Sequence, residues 1–219
     1  MFDTFIDAVP LNNQFVVQLA DTGDLAAVLA IYNQSIAGKQ ATANLAEVSY
    51  EERADWFSEH INNPQRPIYV VKTNSQNTAD SQSTDSQSTD SRSTGDHSTN
   101  EQNSETAIIV AWGSFSDLYA RTAYHISSEI SIYLHSDYHG QGLGGLLTRW
   151  MLTQAPTLGI RNIVALIFAH NQPSLGLFGK LGFTQWGYMP QVCDMQGFIA
   201  DVVMLGIAVD ASHCFEYIE

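Results

Sequence analysis

From Glu129 to Met151 the chain reads EISIYLHSDYHGQGLGGLLTRWM: an apolar run of strand character, four glycines within six residues, then a helical stripe. Leu143, Leu146, Leu147, Trp150 and Met151 set the stripe, recurring at helical spacing after the last glycines. A strand that must pass through glycines into a helix leaves the first helical amides at a turn with no Cβ to shield it. Backbone can approach a ligand there, and the helix end favours an anion.

The string GQGLGG satisfies G-x-G-x-x-G through Gly140, Gly142 and Gly145, which raises a dinucleotide-binding turn. Such a turn works with an acidic residue roughly 20 positions on, which holds the ribose hydroxyls. No Asp or Glu occurs between Tyr138 and Cys193, so that reading fails. The vacancy is informative in a chain whose formal net charge is −14 with only 9 Lys and Arg. The window holds Arg149, Arg161 and Lys180 and no carboxylate, so a phosphate-bearing cofactor at the glycines meets no repulsion from it.

The remaining chain alternates. FVVQLA (15–20) reads as a strand, followed by Leu25, Val28, Leu29, Tyr32 and Ile36 at helical spacing, with Asp21 or Thr22 as cap. Ser49 and Glu52 form a capping box before a helix carrying Trp56 and Phe57. Strands are expected at 68–72, 107–115 and 127–134, then the glycine-led helix, a buried strand at 162–168 and a short helix from Pro173 to Leu181. FTQWGYM and IADVVMLGI close the chain as strands. The order β-α-α-β-β-β-α-β-α-β-β describes a mixed α/β (α+β) sheet, and 219 residues suffice for one well-filled domain.

Thr73 to Thr106 stands apart. It repeats S-T-D-S-Q and contains six acidic residues, one Arg and no aliphatic larger than Ala79. Such a segment cannot offset the entropy of ordering, and PIYVV before it and AIIVAW after it are strand-like. The expectation is a disordered insertion at a hairpin tip within one domain.

The acidic balance argues against nucleic acid, and no apolar run approaches the ~20 residues of a membrane span. MFDTFIDAVPLNNQ lacks a basic segment followed by an apolar one, and Cys193 and Cys214 have no disulfide or metal spacing, which points to the cytoplasm. His125, His135, His139 and His170 likewise lack metal-ligand spacing, so no metal is expected.

The glycine segment and the residues after it resemble the acetyl-CoA site of the GNAT superfamily of N-acetyltransferases, whose motif R/Q-x-x-G-x-G/A reads His139-Gly140-Gln141-Gly142-Leu143-Gly144 here. His139 stands where the superfamily has Arg or Gln. IYNQSI, VSYEERADWF, WGSFSDLYARTAYHISSEISIYLH, HNQPSLGLFGKLGF and DVVML are similar to segments of its phosphinothricin acetyltransferase-like, amino-acid N-acyltransferase group. The resemblance covers 15–209, interrupted by the insertion.

It implies a GNAT fold in which the fourth and fifth strands splay apart and the pantetheine of acetyl-CoA, the co-substrate, lies in the V. Backbone groups of Ile132, Tyr133 and Leu134 would pair with that arm, the amides of 139–145 (His139 to Gly145) would hold the pyrophosphate, and Asn171 and Ser174 would face the cofactor. Glu129 falls where the group carries its Glu and is implied to be the general base. Phe115, Ser116, Arg121 and Tyr124 are the expected substrate-binding positions, with Arg121 available to a carboxylate or phosphinate. Many members place a Tyr in the helix after the fifth strand; this chain has Phe178, so no general acid is assigned.

The acceptor is then a small-molecule amine, either a phosphinothricin- or methionine sulfoximine-like analogue or a plain or aromatic amino acid. Asp194 stands where the group often has a basic residue, which argues against copying phosphinothricin directly. The resemblance also brings an expectation of a homodimer. A catalytically silent acyl-CoA-binding sensor is the alternative reading, and an interaction module recruiting basic partners through the acidic repeat is a third.

Overall fold

The computed structural model of the chain describes residues 8–74 and 107–210. The insertion expected at 73–106 lies, beyond Asn74, outside the described residues, as does Cys214. One eight-stranded sheet carries the fold: β1 (Val9–Pro10), β2 (Phe15–Leu19), β3 (Ile68–Thr73), β4 (Ile109–Asp117), β5 (Ser127–Leu134), β6 (Asn162–Phe168), β7 (Thr184–Asp194) and β8 (Ile199–Ala208). Their spatial order is β1-β2-β3-β4-β5-β6-β8-β7. Every adjacent pair is antiparallel except β5–β6. Four helices pack on it: α1 (Leu25–Ile36), α2 (Tyr50–Ile61), α3 (Leu143–Gln154) and α4 (Gln172–Lys180).

Local chemistry starts these elements. Asp21 and Asp24 make a capping box around a 3-10 turn that runs directly into α1. Ser49 and Glu52 make the expected one on α2, at 3.2 and 2.8 Å. Asn171 caps α4 by accepting from the Ser174 amide, and Pro173 near the helix start loses no hydrogen bond there. Two features exceed the sequence reading: the two-residue β1, and a β7 that runs on to Asp194. β7 continues through an irregularity between Met189 and Cys193 that includes Gln191 at φ 52°, so its period-2 pattern breaks where the strand does not.

Alternation along the central strands divides the core in two. Ile68, Val70 and Trp112 meet α1 and α2 in one cluster. Tyr69, Val71, Ala111 and Phe115 meet α3 in the other. Gly113 explains the close seat of α3: a Cβ there would lie 2.6 Å from Met151 Sδ and 2.8 Å from Ile132 Cδ1. β3 and β4 are hydrogen-bonded neighbours, and the Thr73 amide donates to the Ile108 carbonyl at 3.0 Å, so the chain on either side of 75–106 is already together.

Candidate active site

β5 and β6 pair only through Ser127–Glu129 and Asn162–Val164. Beyond that they part, β5 running on to Leu134 and β6 to Phe168. β4 takes the other edge of β5 and β8 the other edge of β6, so the facing inner edges are left without a strand partner. A cavity of about 410 Å³ fills the divergence, lined by 129–133, 165–168 and the loop 40–44 among others. Asn171 ties that loop down through a 3.0 Å bond from Nδ2 to the Gln40 carbonyl. His170 Nε2 and the Lys39 carbonyl (2.9 Å) and the Lys39 ammonium on the carbonyls of Met195 and Gln196 (2.6 and 2.9 Å) add to it.

Glu129 stands at the apex, at the last paired position. Burial pushes its carboxyl above the ordinary value, because the charged form loses water there. Among the described residues its carboxylate has no hydrogen-bond or ion-pair partner. Ser116 is its cross-strand neighbour on β4. His60, from α2, reaches Ser116 Oγ with Nε2 at 3.0 Å and the Trp56 carbonyl with Nδ1 at 2.8 Å. A carbonyl only accepts, so Nδ1 carries the proton and Nε2 of the neutral ring accepts from the Ser116 hydroxyl. Burial lowers the pKa of His60, which keeps it neutral.

Two positions apart on one face of β5, Ser131 and Tyr133 continue from Glu129 along the cavity. The Tyr133 ring stacks on Trp112 at 4.6 Å and meets Tyr32 edge-on at 5.0 Å. Its hydroxyl donates to the Ala41 carbonyl at 3.4 Å, and burial holds it protonated by raising its pKa. Phe178 also lines the cavity, and its ring has no proton to give.

The glycine turn comes directly after β5. Gly140 and Gly142 have φ of 75° and 79°, a left-handed backbone that glycine alone adopts freely. Gly145 and Leu146 donate to the Gly142 carbonyl. The amides of Gly140 to Gly144 have no acceptor among the described residues; those of 142–144 are left so by the opening of the helix, and those of Gly140 and Gln141 by the turn before it. His139 turns back to the Leu134 carbonyl through Nε2 at 3.1 Å, and Gln141 donates to the Asp137 carbonyl at 2.7 Å. Gly144 serves packing: its Cβ would meet Leu177 at 3.4 Å and Leu134 at 3.6 Å.

Of the residues singled out from sequence, Glu129, Ile132, Tyr133, Asn171 and Ser174 line one cavity. Leu134, His139, Gly140, Gln141, Gly142, Leu143, Gly144 and Gly145 form the strand end and turn beyond it. Ser116 lies beside Glu129. Phe115 does not join them: it is fully buried on the α3 side of β4, because odd positions of that strand face away from Ser116. Arg121 and Tyr124 sit exposed around the 3-10 turn between β4 and β5, where Tyr124 pairs with Tyr119 at 4.9 Å, and neither lines the cavity. Sequence reading missed His60 and the loop 40–44; the spacing of Arg53, Trp56 and His60 on one helical face was the available signal.

The Acetyltransferase (GNAT) family matches residues 50–183. A protein of Bacillus subtilis (strain 168), provisionally named phosphinothricin acetyltransferase YwnH, is 37% identical over 190 residues, covering 87% of this chain and 96% of its own. The L-amino acid N-acyltransferase MnaT of Escherichia coli (strain K12) is 26% identical over 194 residues, 89% of this chain and 94% of its own. A phosphinothricin acetyltransferase from Sinorhizobium meliloti, solved in complex with acetyl-CoA, shares the fold at a TM-score of 0.70 and 24% identity, covering 89% of this chain and 88% of that one. The splayed strands, the glycine turn at the head of α3 and these matches lead to one conclusion: the chain belongs to the GNAT family of acetyltransferases.

Proposed function

We propose that the chain moves the acetyl group of acetyl-CoA to the α-amino group of a small amino acid or amino-acid analogue, with Glu129 as general base. The observation that carries this reading is the half-buried carboxylate of Glu129, held without a partner where β5 and β6 part. The names of the relatives support the acceptor class and the acyl donor.

The residues fit acetyl-CoA. The free inner edge of β5 at 130–134 offers backbone groups to an amide-bearing arm as a strand would. The unsatisfied amides of 140–144 suit its phosphates. An α-ammonium is largely protonated at neutral pH and must lose a proton to attack. Glu129, directly or through a water, takes that proton; the amine nitrogen bonds to the thioester carbonyl carbon, the C–S bond breaks, and its electrons leave with the thiolate. Backbone N–H groups along 132–134 polarise the carbonyl oxygen. The raised pKa brings Glu129 nearer to its working pH, which suits a base. The thiolate leaves unassisted or takes a proton from water.

The test is thiol release from acetyl-CoA against a panel of free L-amino acids, L-phosphinothricin and L-methionine sulfoximine. Turnover with one or more is expected. Tight acetyl-CoA binding with no release on any amine contradicts the proposal and favours the sensor reading.

A further inference from the structure

The helix α2 carries a cation that no anion among the described residues meets. α2 turns Arg53, Trp56 and His60 to one face, at spacings of three and four residues. The Arg53 guanidinium lies 3.7 Å from the Trp56 ring centre and 4.9 Å from that of Tyr32. It is half-buried. Among the described residues no carboxylate comes within ion-pair distance of it. The chain's treatment of other sheltered cations differs: Arg66 meets Asp117 at 2.7 Å and Lys72 meets Asp24 at 3.5 Å. Removing a guanidinium from water without an anion is costly, and in so acidic a chain a partner was readily available.

Two more groups share this condition. Trp112 is buried, and its indole N–H finds no acceptor among the described residues. Its ring stands edge-on to Trp56 at 6.0 Å and stacked on Tyr133. The other group is the unpartnered carboxylate of Glu129. Arg53 and Glu129 both lie close enough to Tyr133 to act on its hydroxyl, yet they are not paired with each other. Around Tyr133, which lines the cavity, stand an unmet cation and an unmet anion, together complementary in charge to a small zwitterion.

We infer that Arg53 is the specificity residue for the acceptor's carboxylate, meeting it on the α2 side of Tyr133 while the acceptor's nitrogen faces Glu129. This rests on the proposed acetylation of an amino acid and deepens it. The planar guanidinium suits a carboxylate bidentately, and stacking on Trp56 fixes its plane. Arg121, the residue expected from sequence in this role, is exposed in the β4–β5 connection, whereas Arg53 comes from α2, far earlier in the chain.

The test compares L-phenylalanine and L-methionine sulfoximine with the α-amides of both, in wild type, Arg53→Met and Arg53→Lys. Wild type is expected to prefer the acids by roughly 10- to 100-fold in kcat/KM, the scale of a charge-assisted contact. Arg53→Met should remove that preference by slowing the acids alone, leaving the amides and the KM for acetyl-CoA within about threefold. Arg53→Lys, which keeps the cation without its fork, should retain part of the preference. Thermal unfolding checks that each variant is folded; if Arg53→Met is not, the wild-type ratio and Arg53→Lys decide. Equal rates for acid and amide in wild type overturn the inference and leave the amino-acid reading standing. An equal loss on both kinds of acceptor in Arg53→Met does the same. Where neither acid turns over, the comparison is run on the acid of the wider panel that does; if acetyl-CoA binds and none is acetylated, the amino-acid reading falls, and the inference with it.

Discussion

Glu129 carries two opposed consequences of its burial. Its carboxyl titrates above the ordinary value because the cleft disfavours the charge. The acid limb of kcat/KM should therefore fall through a pH above the usual carboxylate range. Stability runs the other way. A carboxyl whose folded pKa is raised favours the fold below its unfolded value, and that contribution is lost as pH rises through the raised value. At pH 7 the ionised Glu129 costs stability, as groups held for chemistry often do. Glu129→Gln should then melt at or above the wild-type temperature at pH 7, with the difference closing as pH falls to about 4. A clearly lower melting temperature in pH-resolved thermal scans would mark Glu129 as a structural strand residue.

Among the elements, the glycine turn separates what strain does from what space does. A Cβ at Gly142 meets nothing within 4 Å, so the barrier there is its φ of 79°. Gly142→Val should cost about 1–3 kcal/mol in stability. By displacing the amides of the turn it should also weaken acetyl-CoA binding at least about tenfold, the worth of one lost hydrogen bond to a charge. Calorimetry on the folded variant is the check, and unchanged affinity would remove the turn from the cofactor site. This turn was legible because strand, glycines and helix stripe are contiguous in sequence. Glu129 was singled out through the group resemblance, and it lines the cavity where β5 and β6 part. His60 was not: it comes beside Ser116 and Glu129 only because α2 packs against β4, a tertiary fact that periodicity does not state. Phe115, one position from Ser116, lies on the opposite face by alternation, which the linear reading did not separate. Arg121 stands at the N-cap of the 3-10 turn between β4 and β5 and is exposed there, a placement the linear reading did not state.

At the scale of the molecule, the sheet divides between holding and opening. β3 and β4 stay paired up to the 75–106 connection through one register shift at Val71/Lys72, with Thr73 and Ile108 already hydrogen-bonded, and the described residues beside it do not line the cleft. Deleting 75–104 and joining the strands with a short turn should leave turnover and melting temperature nearly unchanged, since loop closure costs only about 0.6 kcal/mol per doubling of length. A large loss of activity would place the repeat in the site. The opening is at β5–β6, and everything proposed for the chain depends on Glu129 acting there as a base. The most direct measurement is the kcat of Glu129→Gln beside its acetyl-CoA affinity by calorimetry, at pH 7 and above pH 9. Gln keeps the shape and reach of Glu but takes no proton, so kcat should fall by roughly 10²–10⁴-fold at pH 7 with affinity intact. The defect should shrink above about pH 9, where the amine arrives deprotonated. A mutant rate within about threefold of wild type at pH 7, well short of a general base's worth, would contradict the assignment.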